Sequence, residues 1–235
     1  MHEYQSVSIV IPVYNERSTI QSVLDRVKAV STGGLAKEII LVDDHSTDGT
    51  MDVVCNLHDP EVKVFIHDQN QGKGGALHTG FRKATGDIVV IQDADLEYDP
   101  RDIEKVLAPF WNQEAEVVYG SRYLEKNPGL EFWHSFFNQL FTKVSNLLTG
   151  QRLTDVMTCY KAFSRSSLNA VLDKLESKRF GFEPEITARL SQAGFKICEV
   201  PVGYQPRGRG QGKHMNLKGQ LDSLRALIKY SLIKK

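Results

Sequence analysis

The sequence predicts an α/β fold in which a mostly parallel central sheet is flanked by helices on both faces. Three observations predict it. Short, nearly continuous apolar runs recur through the first half of the 235-residue chain, segments with helical spacing separate them, and acidic or glycine-rich stretches directly follow several of the runs. Alternating strand and helix places parallel strands side by side, with ligands at their carboxyl ends.

The strands are read at Val7–Val13, Glu38–Val42, Val62–Ile66, Ile88–Ile91 and Val117–Tyr119. Between them, Ile20, Val23, Leu24, Val27 and Val30 step along one helical face, as do Ala76, Leu77, Gly80, Phe81 and Ala84. From Glu131 the pattern changes. A long aromatic helix carries Phe132, Trp133, Phe136, Phe137, Leu140, Phe141, Val144, Leu147 and Leu148, and reads equally as a core helix or as an interfacial one. A strand or hairpin follows at Thr158–Phe163, then a helix at Glu183–Ala193, a strand at Lys196–Val202 and a final helix at Leu217–Ile233. Arg207–Lys213, rich in glycine and cations, has the composition of a loop.

Composition narrows the function. Apolar residues make up 41% and charged residues 25%, as in ordinary globular enzymes, and 29 Lys plus Arg balance 29 Asp plus Glu, so no overall field draws nucleic acid. Three cysteines without C-x-x-C spacing disfavour zinc and disulfides and fit a reducing compartment. With no secretory layout at the start and no apolar run of spanning length, the expectation is a cytoplasmic protein. Neither G-x-G-x-x-G after the first strand nor a P-loop is present, which removes dinucleotide dehydrogenases and P-loop NTPases.

The chemistry lies at the strand ends. Ile11-Pro12-Val13-Tyr14-Asn15-Glu16 closes the first strand. Val42-Asp43-Asp44 closes the second, and an acidic residue there suits ribose hydroxyls or a base edge, whereas Asp48 suits a helix cap. Asn70-Gln71-Gly72-Lys73-Gly74-Gly75 leads into a helix with free backbone N–H groups. The strongest signal is Gln92-Asp93-Ala94-Asp95-Leu96-Glu97: in extended geometry its three carboxylates share one face, and a hard divalent cation relieves their repulsion. Arg122, after the fifth strand, offers a fork suited to phosphate oxygens.

These motifs, with Asp155–Lys161 and Arg207–Lys213, resemble family 2 glycosyltransferases of the GT-A fold, and within them the dolichyl-phosphate mannose synthase-like branch. The resemblance covers nearly the whole chain as one catalytic domain, with a nucleotide-sugar-binding half over 1–125 and an acceptor-binding half over 126–235 that ends in an amphipathic helix. It implies that Pro12, Tyr14, Glu16, Val42 and Asp44 hold the nucleoside, that Asp93 and Ala94 approach the nucleotide sugar beside Lys73, and that Asp95 and Glu97 ligate Mg²⁺ or Mn²⁺. Glu97 stands where that branch usually has Gln. Arg122, Arg207 and Lys213 are implied to hold donor diphosphate and acceptor phosphate, with Asp93, Asp95 and Arg122 carrying catalysis.

The implied reaction is inverting transfer of mannose or glucose from GDP-mannose or a UDP-sugar to a polyprenyl or dolichyl phosphate, itself an anion near neutral pH that needs no strong base. A hydroxyl acceptor is the alternative, with Asp93 or Asp155 as base, and a catalytically silent nucleotide-sugar-binding subunit is the rival class. The final helix, with five lysines from Lys213 onward, predicts peripheral contact with the cytoplasmic membrane face, and a membrane-anchoring subunit is a candidate partner.

Overall fold

Apolar residues alternating along each strand sort into two layers, and this sorting builds the molecule. In the computed structural model, which describes residues 4–127, 132–207 and 217–232, β1 (Ser6–Val13), β2 (Ala36–Asp43), β3 (Val62–Ile66), β4 (Ile88–Ile91), β5 (Val117–Ser121), β6 (Lys161–Ser164) and β7 (Cys198–Pro201) form one sheet in the order β3-β2-β1-β4-β6-β5-β7. Ile9, Ile11, Ile39, Leu41, Ile88 and Val90 face one layer, while Val10, Ile40, Val42, Val89 and Ile91 face the other.

Helices α1 (Ile20–Ala29), α2 (Thr50–Cys55) and α4 (Ile103–Trp111) cover the first face. On the second lie α3 (Lys73–Lys83), α6 (Arg165–Leu172) and α7 (Phe182–Gln192). Gly80 lets α3 settle onto β1, since a Cβ there would run into Val10 Cγ1. Two further helices, α5 (Phe132–Thr149) and α8 (Leu217–Leu232), lie outside, with α8 packed on α7 through Ala226 and Tyr230 against Ala188.

The expected fold class is the one found, and the five early strands lie where the apolar runs place them. Helices α4 and α6 were not anticipated; α4 carries Pro109 in its interior, and α6 begins on a Ser164 side chain that accepts from the Ser167 N–H at 3.1 Å. No hairpin forms in the segment expected as a strand or hairpin at Thr158–Phe163; the part from Lys161 forms a single strand, β6, antiparallel to both neighbours. It inserts between β4 and β5, so the two halves of the chain share one sheet. Strands β1, β2, β4, β5 and β7 therefore end at the same rim where β6 begins.

For α5, the structure resolves the choice between core and surface. Thr142 and Ser145 are buried and Phe141 packs on the core, but Phe136, Phe137 and Leu140 are about half exposed and Leu147 is 84% exposed. The side chains of Phe132 and Trp133 lie outside the described residues. Among the described residues no helix is long and apolar enough to cross a membrane, and the three cysteines are unbridged.

Candidate functional site

Parallel order places the strand ends on one rim, and the order reverses between β2-β1 and β4, opening a crevice over the carboxyl ends of β1 and β4. On one side, the turns after β1 and β2 are tied together. Asn15, at φ 58°, donates its N–H to Ser46 Oγ at 2.9 Å and accepts from the Thr47 N–H at 2.8 Å. Asp48 accepts from the Thr50 N–H, at the start of α2, at 2.9 Å. Pro12, Tyr14 and Glu16 are half-buried here and Val42 is buried.

Asp44 is only 2% exposed. Its carboxylate pairs with His67 Nδ1 at 2.7 Å and accepts from the N–H groups of Gln71 (2.8 Å) and Gly72 (2.7 Å). It thereby fixes the glycine turn that opens α3, where Gly72 has φ 87° and lies against the backbone of Lys178.

The expected alignment of Asp93, Asp95 and Glu97 on one extended face is corrected. Strand β4 stops at Ile91 and the chain turns, with Leu96 in the left-handed region at φ 62° and Asp95 Oδ1 accepting the Glu97 N–H at 3.1 Å. The turn relieves the repulsion by setting each carboxylate against a donor. Asp93 pairs with Lys73 Nζ at 2.5 Å. Asp95 Oδ2 lies 3.5 Å from Arg207 Nη2. Glu97 accepts from the Tyr204 hydroxyl at 2.9 Å and the Arg207 N–H at 3.0 Å. Arg207 also reaches Glu16 Oε1 at 2.6 Å and the Asp95 carbonyl at 3.2 Å. Ala94, between the first two carboxylates, is buried in the sheet's first layer.

The floor of the crevice is charged. Burial opposes the Lys73 charge, yet Asp93, Cys159 and Glu183 raise its pKa well above the ordinary lysine value. Burial pushes the Cys159 thiol up to about 12, so it is no nucleophile near neutral pH. Glu183, on the first turn of α7, is 6% exposed; burial raises its carboxyl pKa while Lys73 and Lys161 pull it down. Sequence reasoning read Glu183 only as a helix start; the signal available was a carboxylate in that helix's first turn.

Lys161 is fully buried, donating to the carbonyls of Val156 and Thr158 beneath the Tyr119 ring, with Nζ 4.4 Å from the ring centre. Burial lowers its pKa from 10.5 to about 8. A folded value below the unfolded one means that the charged form opposes folding, so this residue's contribution to stability rises as pH climbs from about 8 towards 10.5. The gain is about 3 kcal/mol at most. Comparing urea midpoints of wild type and Lys161→Met across that range checks it: the difference between the two proteins shifts in favour of wild type as pH rises.

Arg122 follows β5 and its fork is engaged. Nε and Nη2 donate to Asp155 at 2.7 and 2.8 Å, the backbone N–H adds a third bond at 3.2 Å, and the guanidinium lies 5.1 Å from the Tyr204 ring centre. Asp155 is fully buried and accepts also from Asn138 at 3.0 Å. As a base for a hydroxyl acceptor it has no path to substrate. Tyr204 was not anticipated: it touches Glu97 on one side and Arg122 on the other, a link no spacing reveals. Lys213 lies outside the described residues. Among the described residues no three His, Cys, Asp or Glu side chains converge for a metal.

Residues 8–172, more than two thirds of the chain, match the family described as Glycosyl transferase family 2. The chain is 31% identical over 218 residues to the undecaprenyl-phosphate mannosyltransferase of Micrococcus luteus, covering 88% of this chain and 86% of that protein. It is 31% identical over 219 residues to the dolichol-phosphate mannosyltransferase of Pyrococcus furiosus (91% and 60%) and 29% identical over 209 residues to the glycosyltransferase AglD of Haloferax volcanii (86% and 33%). It thus spans about three fifths and one third of the lengths of those last two. Among solved structures, glucosyl-3-phosphoglycerate synthase of Mycobacterium tuberculosis with Mn²⁺, UDP and phosphoglyceric acid superposes with a TM-score of 0.75 at 21% identity, covering 98% of this chain and 80% of that one. Mannosyl-3-phosphoglycerate synthase of Rubrobacter xylanophilus gives 0.72 at 19% (96% and 72%).

Proposed function

Because the chain belongs to glycosyl transferase family 2 and is a glycosyltransferase on a GT-A fold, we propose that it moves mannose or glucose from a GDP- or UDP-sugar to a polyprenyl phosphate at a membrane surface, with inversion. The observation that carries this reading is the convergence of Asp93, Asp95, Glu97, Lys73 and Arg207 at one crevice, with both candidate bases for a hydroxyl acceptor ion-paired. A phosphate acceptor needs no base, since its second pKa is about 6.

Pro12, Tyr14 and Glu16 line the nucleoside side, Val42 backs it from the core, and Asp44 acts there by holding the glycine turn in place. Hard carboxylate oxygens from Asp95 and Glu97 suit Mg²⁺ or Mn²⁺, and the guanidinium already lodged beside Asp95 indicates that this spot accommodates a cation. When bound, the ion neutralises charge gained by the departing diphosphate. Lys73 orients Asp93 towards the sugar and adds positive charge beside it. Arg122, locked by Asp155, supports Tyr204 and through it Glu97; Arg207 and Lys213 supply phosphate contacts.

The test is transfer from a panel of GDP- and UDP-sugars to a short polyprenyl phosphate with Mg²⁺ or Mn²⁺, products identified by mass. A metal-dependent glycosyl-phosphoryl-lipid supports the proposal. Slow donor hydrolysis without lipid product moves the acceptor to a hydroxyl compound, and complete inertness favours the silent subunit.

The apolar side chains left exposed on α5 (Phe137, Leu140, Leu147) and on α8 (Leu224, Ile228, Leu232) support peripheral membrane contact. The double variant Leu140→Glu, Ile228→Glu is expected to lose flotation with anionic vesicles and to turn over a long-chain acceptor in vesicles about tenfold more slowly, each charge opposing insertion by a kcal/mol or more. Turnover of a short, water-soluble acceptor stays unchanged. Equal flotation of both proteins would count against this surface.

A further inference from the structure

Arg207 occupies an unusual position for a residue expected to contact phosphate. Its Nη2 is 2.6 Å from Glu16 Oε1 and 3.5 Å from Asp95 Oδ2, its Nε donates to the Asp95 carbonyl at 3.2 Å, and its backbone N–H binds Glu97 Oε1 at 3.0 Å. One residue thus engages three acidic side chains of the rim, Glu16, Asp95 and Glu97, and the guanidinium is largely buried, with 19% of its side chain exposed. Two like-charged carboxylates at this depth need a counter-charge, and the ligand-free protein supplies it from its own chain.

We propose that Arg207 is the resident counter-ion of this acidic rim and that a divalent cation binds by displacing it. The inference rests on reading Asp95 and Glu97 as cation ligands and adds to that reading a competition. A metal ion held by the Asp95 and Glu97 carboxylates would compete with the guanidinium for Asp95 and with the Arg207 N–H for Glu97, leaving Glu16 and the Asp95 carbonyl as the remaining acceptors, and two cations do not share one carboxylate pair without mutual repulsion. Released, the guanidinium retains five donors for phosphate oxygens and remains tethered close by, because Gln205 N–H binds the Glu97 carbonyl at 2.9 Å and Tyr204 N–H binds Asn127 Oδ1 at 2.8 Å. The exchange therefore couples arrival of the metal to presentation of a phosphate ligand. Without phosphate to receive the arginine, metal alone binds weakly. With a nucleoside diphosphate present, both cations find partners and binding is cooperative.

The experiment measures Mn²⁺ alone, by the loss of its free electron paramagnetic resonance signal, on wild type and Arg207→Gln, each with and without Asp95→Asn. Arg207→Gln is expected to bind Mn²⁺ about tenfold more tightly than wild type, the scale of one lost charge-assisted contact, and Asp95→Asn to abolish the gain. Equal or weaker binding by Arg207→Gln, with binding still dependent on Asp95, overturns the displacement while the metal reading stands. No Asp95-dependent binding in either protein, even with GDP or UDP added, overturns both. As a measurement that needs no variant to fold, hydrogen exchange of the Arg207 amide in wild type is expected to speed up at saturating Mn²⁺. Unchanged protection overturns the proposal.

Discussion

Asp95→Asn lowers metal-dependent glycosyl transfer about a thousandfold, on the scale of losing a principal electrostatic stabiliser of a developing anion. The fold is expected to remain. Asp95 sits in the turn after β4, where Oδ1 accepts the Glu97 N–H and Oδ2 makes only a 3.5 Å contact with Arg207. Asn keeps an acceptor for the turn and removes only the charge. The thermal midpoint should therefore stay within about 2 °C, the equivalent of roughly half a kcal/mol. Initial rates over a Mn²⁺ titration, with a thermal melt as control, make the comparison. Undiminished turnover would sink the metal assignment, and a collapsed melt would show Asp95 to be a structural residue.

The second large effect falls on stability. Asp155→Ala should cost about 3–5 kcal/mol, the penalty for leaving a buried charge without its partner. Asp155 is fully buried and receives Arg122 bidentately, at 2.7 and 2.8 Å, together with Asn138. Removal strands a guanidinium that is left against the faces of Tyr204 and Tyr123. Urea unfolding measures the loss, and the double variant Arg122→Met, Asp155→Leu recovers most of it if the pair acts as a unit. The pH dependence has a defined sign. Burial alone would raise the Asp155 pKa, but Arg122 wins and holds it below the ordinary 3.8. Its contribution is thus complete above that value and is lost as the pH falls through the lower folded value. Loss of stability already above pH 5 that vanishes in the Asp155 variant would contradict this.

The strand ends were legible because chemistry there is local in sequence. A buried apolar run followed at once by Asp43-Asp44 or by Asp93-Ala94-Asp95 declares its position without any partner. Pairings were not legible. Extended geometry aligned Asp93, Asp95 and Glu97 on paper, yet Leu96 turns the chain at φ 62°, and their partners come from α3, from beyond β7 and from the same turn. Tyr204 lies 107 residues from Glu97, and Asp155 lies 33 from Arg122. Helical spacing on α5 and α8 revealed two amphipathic faces, but which apolar side chains would be covered depended on how those helices dock.

By itself, then, the sequence determined the layered α/β architecture, through nearly continuous apolar runs alternating with helical segments, and the rim where candidate ligand-binding residues lie, through acidic and glycine-rich segments placed directly after buried strands. Tertiary structure alone decided who neutralises whom. Charge pairing depends on distances of 2.5–3.5 Å between segments far apart in the chain, and those distances exist only once β6 has inserted between β4 and β5 and the segment after β7 has crossed the rim to set Arg207 among the carboxylates.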